Sequence, residues 1–515
     1  MRAALRWLNN HPLAWLVPAA ALSLLLYLAL SGWSFGFPLD DGWIHQTYAR
    51  NLAETGRLEY TPGVVSAGST SPLWTLWLAL GYLIGAPYQL WTHGTGVLLL
   101  AGCGWLVMQL WRQLDPETGR HAWLPGLLVV TSWPLVWAAG SGMEILLFVV
   151  LALALVKSYW QQLAADTGWQ TVAGMGLLSG LLVLTRPDGL VLLLLVLGGI
   201  ALASDRRGWW KPLLYVGASL LPLLPYFAFN LQFGDTLWPN TMAAKQTEYS
   251  FLLEERIVGR VFRLLFFSLG GPESGLLGMS AGHLLLLPGV IASGWGALRQ
   301  DIAARRLALT LPLWWAGGHV LLYAWKLPVL YQHGRYLLVV LPVWLLFGLH
   351  GWVRIMYRLR NAKLGSLRLG WMLRQVGIVA FGIVWSYFLL LGGQQYGQDV
   401  RFIDGEMVAM GYWLAEQTPP DALIAAHDIG AIGYFAGRSI LDLAGLISPE
   451  VVPWLDDEAR MSSYILESDA DFLVTAPGWS YQQAVSEGDL TPLFSTDFAW
   501  TRQQGLNNMT VYALP

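Results

Sequence analysis

Two adjacent carboxylates, Asp40 and Asp41, stand a few residues past the first long apolar segment (13–30), at the head of a polar loop. Neighbouring charges at a membrane–water boundary are costly unless they are solvated, paired or bound to a cation. Their type and spacing are what an inverting sugar transfer would need. One carboxylate takes the acceptor proton, and the other holds a metal or orients the first. A polar loop after a membrane span also carries Asp without any such role.

Further polar clusters interrupt the apolar runs. Gly68-Ser69-Thr70-Ser71-Pro72 reads as a substrate loop or as a turn that caps a helix. In Ser141-Gly142-Met143-Glu144, Glu144 is either a helix N-terminal charge or part of a site. Thr185-Arg186-Pro187-Asp188-Gly189 is a tight turn in which Arg186 and Asp188 can pair with each other. Phe233-Gly234-Asp235-Thr236-Leu237-Trp238-Pro239-Asn240-Thr241 leads to Lys245, and Tyr331-Gln332-His333-Gly334-Arg335-Tyr336 stands at the mouth of a late apolar segment. Lys245 and Arg335 have the chemistry to hold a phosphate, although Arg335 also suits an interfacial snorkelling role.

The elements that must position these groups are membrane helices. Hydrophobic residues make up 55% of the 515-residue chain and charged residues 12%, at a mean hydropathy of +0.48. A soluble domain carries about 25% charged residues, so the shortfall decides the class. A net charge of −3 does not point to nucleic acid, and the single cysteine, Cys103, excludes an intrachain disulfide. The 29 tryptophans suit interfacial belts, with a few left for sugar stacking. Arg2 and Arg6 before the first apolar stretch predict an uncleaved anchor with a cytoplasmic N-terminus.

Twelve apolar segments recur from 13–31 to 375–393. Basic loops at Arg206–Lys211, Arg299–Arg306 and Arg354–Arg374 mark the cytoplasmic side, which leaves 32–71, 232–280, 326–334 and everything after 394 on the other. Twelve crossings conflict with that placement of the C-terminus. The breaks at Pro125, Pro134 and Gly140-Ser141-Gly142 therefore predict one short or re-entrant segment and about 11 spans. Residues 41–56, with Ile44, Tyr48 and Leu52 on one face, predict an amphipathic helix along the membrane surface. His45, one turn from Asp41, is expected at the protein surface.

Residues 395–515 change character and predict a small soluble α/β domain outside the membrane, after a transmembrane region of 1–394. Strands are expected at 422–426, 439–443, 471–475 and 509–513, and helices at 402–417 and 452–466. His427-Asp428 reads as an ordinary strand-end turn.

In their order along the chain these motifs resemble the bacterial polytopic GT-C glycosyltransferases. The resemblance is to the terminal arabinofuranosyltransferase group and to its protein-mannosyltransferase-like and aminoarabinose-transferase-like relatives. It is carried by Leu39-Asp40-Asp41 with Tyr48-Ala49-Arg50-Asn51-Leu52, Ser69-Thr70-Ser71-Pro72-Leu73-Trp74, Ser141–Glu144, Thr185–Gly189, Pro239-Asn240-Thr241 with Lys245, His333–Tyr336, Asp428–Tyr434 and Asp442–Leu446. An inserted Trp238 departs from the pattern. The resemblance implies inverting transfer of a sugar from a polyprenyl-phosphate donor to an extracytoplasmic glycan, glycolipid or protein acceptor, in a bacterial inner membrane. It implies Asp41 as general base and Asp40 as orienter, or the reverse, with a divalent metal at the pair in some relatives and none in others. Lys245, Arg335 and Arg186 would hold the lipid phosphate. Glu144, Asp188, Asn240, His333, Tyr336 and His45 are further substrate-binding candidates. The rival expectation is a non-catalytic protein of the same fold, such as a lipid-carrier transporter or an assembly partner.

Overall fold

The structure is a computed structural model that describes residues 2–165, 168–206, 208–234, 236–270, 281–359 and 369–515. Arg207, Asp235 and residues 360–368 of the basic run named above lie outside the described residues. Among the described residues, six helices are long and apolar enough to cross a membrane: Pro12–Leu30, Tyr88–Leu114, Ile145–Ala164, Trp210–Gly234, Tyr331–Leu359 and Gly370–Gln417. A bent pair, Trp123–Val130 and Trp133–Gly140, meets at 54° and makes seven if it counts as one span. The break expected between 72 and 158 therefore falls at Thr131-Ser132, beside Pro134. The expected count of about 11 is not reached by length and composition among the described residues. Pro72–Leu83, Trp169–Thr185 and Pro187–Ala203 are apolar but have 10–17 residues each, fewer than the roughly 20 a span needs.

Apolar helices in a lipid-like surround gain little from burying more Leu, so close backbone approach holds them together. Gly176 and Gly180 on one helix meet Ala218, Ser219 and Pro222 on Trp210–Gly234. Gly289, buried with Ser293 and Ala297 at four-residue spacing, lies against the backbone of Gly348 and Gly351. Ser293 Oγ and His350 Nδ1 add a bond of 2.7 Å across the same contact.

Helix Asp40–Thr55 forms as expected and ends on Gly56, whose φ of 74° suits glycine alone without strain. It is enclosed by protein on several faces. Gly42, Trp43, His45, Gln46, Thr47, Tyr48, Ala49 and Asn51 are all buried, and helices Pro72–Leu83 and Gly430–Ala436 pack on it. Its polar residues find partners there: Gln46 Nε2 donates to Thr92 Oγ1 at 2.9 Å, and Asn51 Nδ2 to the Tyr60 carbonyl at 2.7 Å.

The C-terminal residues form one sheet of five strands: β1 (Leu423–Ala426), β2 (Ser439–Asp442), β3 (Phe472–Thr475), β4 (Pro492–Ser495) and β5 (Thr510–Ala513). The order is β2-β1-β3-β5-β4. β1 runs parallel to β2 and β3, and β5 antiparallel to β3 and β4. β4 was not expected, because it is an exposed edge strand that starts at a proline and alternates nothing. Helix Glu458–Glu467 lies where 452–466 was expected, and the 402–417 helix is divided between Leu369–Ile403 and Ala409–Gln417 by a wider turn at Asp404–Val408. The carboxyl ends of β1 and β2 lead into His427 and into the 442–447 turn, where open sheets place their functional loops.

Candidate active site

The first turn of helix Asp40–Thr55 splits the acidic pair. Asp40 points to the C-terminal layer, where its Oδ2 accepts the Gly430 amide at 2.6 Å and its Oδ1 the Ala431 amide at 2.8 Å. Asp41 points the other way, into a cavity of about 580 Å³. There its Oδ2 meets Arg335 Nη2 in a short ion pair and Lys245 Nζ at 3.4 Å. Adjacent helical residues diverge by about 100° around the axis, which is why neighbours in sequence serve different partners.

The electrostatics of the two acids diverge as well. Burial and the nearby Asp428 charge push Asp40 up to about 7, against the lowering by its two amide donors. Burial would also raise Asp41, but the Arg335 and Lys245 charges outweigh it and hold the carboxyl far below its usual range. Lys245 is drawn down by burial and up more strongly by Asp41, so its ammonium stays charged. Arg335 is 2% exposed, and its Nε and Nη1 have no hydrogen-bond partner. Its Nη2 also reaches Tyr336 Oη at 3.2 Å, and Lys245 Nζ reaches the same oxygen at 3.4 Å.

A second charge cluster forms the cavity's other polar wall. Arg186 donates to Glu144 Oε1 at 2.8 Å, to Asp188 Oδ2 at 3.0 Å and to Tyr323 Oη at 2.7 Å. Tyr323 in turn donates to Asp188 at 2.6 Å. His45 Nε2 lies 3.3 Å from Glu144 Oε2. His45 is 4% exposed, so its expected surface position is corrected: the helix is covered on that side by the turn before Ile145. Burial raises Glu144, but His45 and Arg186 together bring it to about 2.

The structure thus gathers Asp41, Lys245, Arg335, Tyr336, Arg186, Glu144, Asp188 and His45 around one cavity. It leaves three candidates outside. Asp40 serves the C-terminal layer, Asn240 starts helix Asn240–Glu248 while its neighbour Thr241 lines the cavity, and His333 pairs with Asp399 at 2.7 Å. Thr241 Oγ1 also donates to the Gly68 carbonyl at 2.7 Å, which ties two of the expected loops together. Tyr323 and Lys326 line the cavity but carry no motif; a polar residue at the end of an apolar run is the only signal they give. The C-terminal layer contributes Leu446 and Ile447. They are placed by Asp442, whose buried carboxylate accepts the Ala444 and Ile447 amides at 2.9 and 2.7 Å. The remaining wall is apolar, with Leu190, Val191, Leu194, Leu322 and Trp325; Leu194 and Trp325 are more than half exposed on the outer surface.

Asp40 and Asp41 as arranged do not fit a divalent ion. Both Asp40 oxygens accept amides, Asp41 Oδ2 faces two cations, the two carboxylates point apart, and among the described residues no three His, Cys, Asp or Glu side chains converge.

No curated protein sequence matches the chain. A family model described as a domain of unknown function (DUF8728) matches residues 392–512. Among solved structures, ArnT from Cupriavidus metallidurans bound to undecaprenyl phosphate has a TM-score of 0.59 at 14% identity, covering 97% of this chain and 98% of that one. The oligosaccharyltransferase of Archaeoglobus fulgidus, tethered to an acceptor peptide, has a TM-score of 0.58 at 12% identity, covering 92% of this chain and 70% of that one. Another structure of that enzyme holds Zn and sulfate. The mycobacterial arabinofuranosyltransferase AftD has a TM-score of 0.50 at 14% identity, covering 97% of this chain and 41% of that one. All three are GT-C glycosyltransferases of membranes. With its spanning-length helices, the chain is a multi-pass membrane protein.

Proposed function

The chain has the GT-C glycosyltransferase fold, and on that premise we propose that it is an inverting glycosyltransferase. It moves a sugar from a polyprenyl-phosphate donor to an acceptor on the outer face of a bacterial inner membrane. The observation that carries this reading is the convergence of Asp41, Lys245 and Arg335 at the polar end of a cavity whose remaining apolar wall reaches the protein surface at Leu194 and Trp325. A diester with a charged head and a hydrocarbon tail matches both ends.

The proposed chemistry follows from the charges. An Arg335 guanidinium that is buried with two nitrogens unpartnered costs free energy that a further anion would offset. The donor's phosphate supplies that anion and competes with Asp41 for both cations. As it does so, Asp41 loses the partners that depress its pKa and becomes a competent base. It takes the proton of an acceptor hydroxyl, the acceptor oxygen bonds to the anomeric carbon, and the carbon–phosphate oxygen bond breaks. The electron pair leaves on the phosphate, where Lys245 and Arg335 face the growing charge. Arg186 is already saturated by Glu144, Asp188 and Tyr323, so its part is to hold the wall of the cavity in register.

The test is turnover in lipid nanodiscs with a panel of radiolabelled undecaprenyl-phosphate sugars, following release of undecaprenyl phosphate with and without EDTA. Sugar-dependent release that is lost in Asp41→Asn is the expected result. Full release in that variant would overturn the assignment of the base, and an EDTA effect would show that a metal takes part.

A further inference from the structure

Arg335 reaches Asp41 from an unusual piece of backbone. The three residues before it, Gln332, His333 and Gly334, all lie in the left-handed region, with φ of 53°, 61° and 63°. Glycine adopts this region freely, but a residue with a Cβ is strained there. Two such residues in succession persist only when their surroundings hold them.

The hold is visible on the side of the turn that faces away from the cavity. His333 Nε2 lies 2.7 Å from Asp399 Oδ2, on helix Leu369–Ile403. Asp399 is itself fixed, since its Oδ2 accepts Trp137 Nε1 at 3.0 Å and its Oδ1 accepts Gln395 Nε2 at 2.9 Å. The imidazole stands edge-on to Trp133 and Trp137, with ring centroids 5.6 and 5.3 Å away. On the cavity side, His319 Nε2 bonds the Tyr336 carbonyl at 2.9 Å, and Arg335 faces Asp41. One short turn therefore joins a braced imidazole to a buried guanidinium two residues later.

We propose that His333 and Asp399 are a positioning pair: they hold the left-handed turn 332–334 so that Arg335 faces Asp41 and the phosphate that displaces it. The proposal rests on the reading of Arg335 as the anion-holding cation, and goes beyond it by assigning the residues that aim it. His333 does not line the cavity.

Two arms test this on the full chain in nanodiscs. The first needs no ligand. Asp41→Cys and Arg335→Cys are combined and bridged by a short bis-methanethiosulfonate linker; the sole native cysteine, Cys103, is buried. His333→Asn keeps a side chain at home in the left-handed region but loses the reach to Asp399. It is expected to slow the bridging about tenfold, with Asp399→Asn giving a smaller effect of the same sign. Equal rates in all three proteins would overturn the proposal. The second arm is a double-mutant cycle on the dissociation constant for undecaprenyl phosphate. His333→Asn should weaken binding about tenfold with Arg335 present and less than about twofold in Arg335→Ala. Equal losses in both backgrounds would show that His333 acts independently of Arg335 and sink the idea. If the wild-type chain binds no undecaprenyl phosphate, the proposed donor is wrong, and the bridging rates still decide the role of His333.

Discussion

Asp41 and Asp40 are one peptide bond apart and do different work, and single substitutions should separate them. Asp41→Asn removes the proposed proton acceptor while keeping the shape, so turnover is expected to fall by about 10³-fold. Binding of undecaprenyl phosphate should not weaken, because the competing carboxylate charge is gone; a rise in its dissociation constant would count against Asp41 as the base. Arg335→Ala is expected to do the reverse kind of damage. It leaves Asp41 with Lys245 alone in a confined site, at a cost of about 3 kcal/mol, and thermal unfolding in detergent would show it. Asp40→Asn keeps one acceptor and turns an amide group toward a backbone N–H, which costs about 1–2 kcal/mol. That loss belongs to the seating of the C-terminal layer and should leave donor binding intact.

At the scale of elements, helix Asp40–Thr55 is the centre of the molecule. One side carries Asp41 and His45 to the cavity; another carries Asp40 and Trp43 to helix Gly430–Ala436, where Trp43 packs on Tyr434 and Phe435. The approach of the two helices is set by Gly430: a Cβ there would overlap the Asp40 carbonyl oxygen and stand 2.7 Å from its carboxyl carbon. Gly430→Ala should therefore force the helices apart at a cost of about 2 kcal/mol. Hydrogen exchange should then rise in residues 40–46 and 427–436 while the apolar helices stay protected. Unchanged exchange would mean that the contact is looser than the geometry indicates. The same packing encloses more of the helix than its apolar periodicity alone predicts. Its apolar stripe of Ile44, Tyr48 and Leu52 is real, but the residues that turn the other faces inward, His45, Gln46 and Asn51, have partners on elements far away in sequence.

For the whole molecule, one junction joins helix Asn240–Glu248 to the C-terminal sheet. His427 at the end of β1 lies 3.7 Å from Glu248 and 3.2 Å from Asp428, one carboxylate from each side of the junction. Burial would lower its pKa, yet the two carboxylates raise it to about 10. A raised folded-state pKa means that the stabilisation is complete below the unfolded value, about 6.5, and is lost as pH rises through about 10. Asp40, raised to about 7, loses its contribution in the same direction but in a lower window, between about 4 and 7. The melting temperature should fall as pH rises, with His427→Gln flattening the upper part of the curve and Asp40→Asn the lower. A curve unchanged by either variant would remove both groups from the junction.

The class of this protein follows from its amino-acid content, because 55% hydrophobic and 12% charged residues have no stable home but a bilayer. The sheet strands at 423–426, 439–442, 472–475 and 510–513 were legible in the same way, since β-rich apolar runs between turn residues depend on local pattern alone. The five polar loops were legible as exceptions to the apolar runs, and Asp41, Lys245 and Arg335 do share a cavity. What no linear pattern carries is direction. Whether Asp40 or Asp41 faces the cavity depends on helix rotation against residues 390 positions away. Whether His45 is surface or wall depends on Glu144, and whether His333 faces the cavity or the far side of its turn depends on Asp399. Those choices are made by long-range packing, in which each polar group goes where a partner removes its burial cost, and only the tertiary structure holds that information.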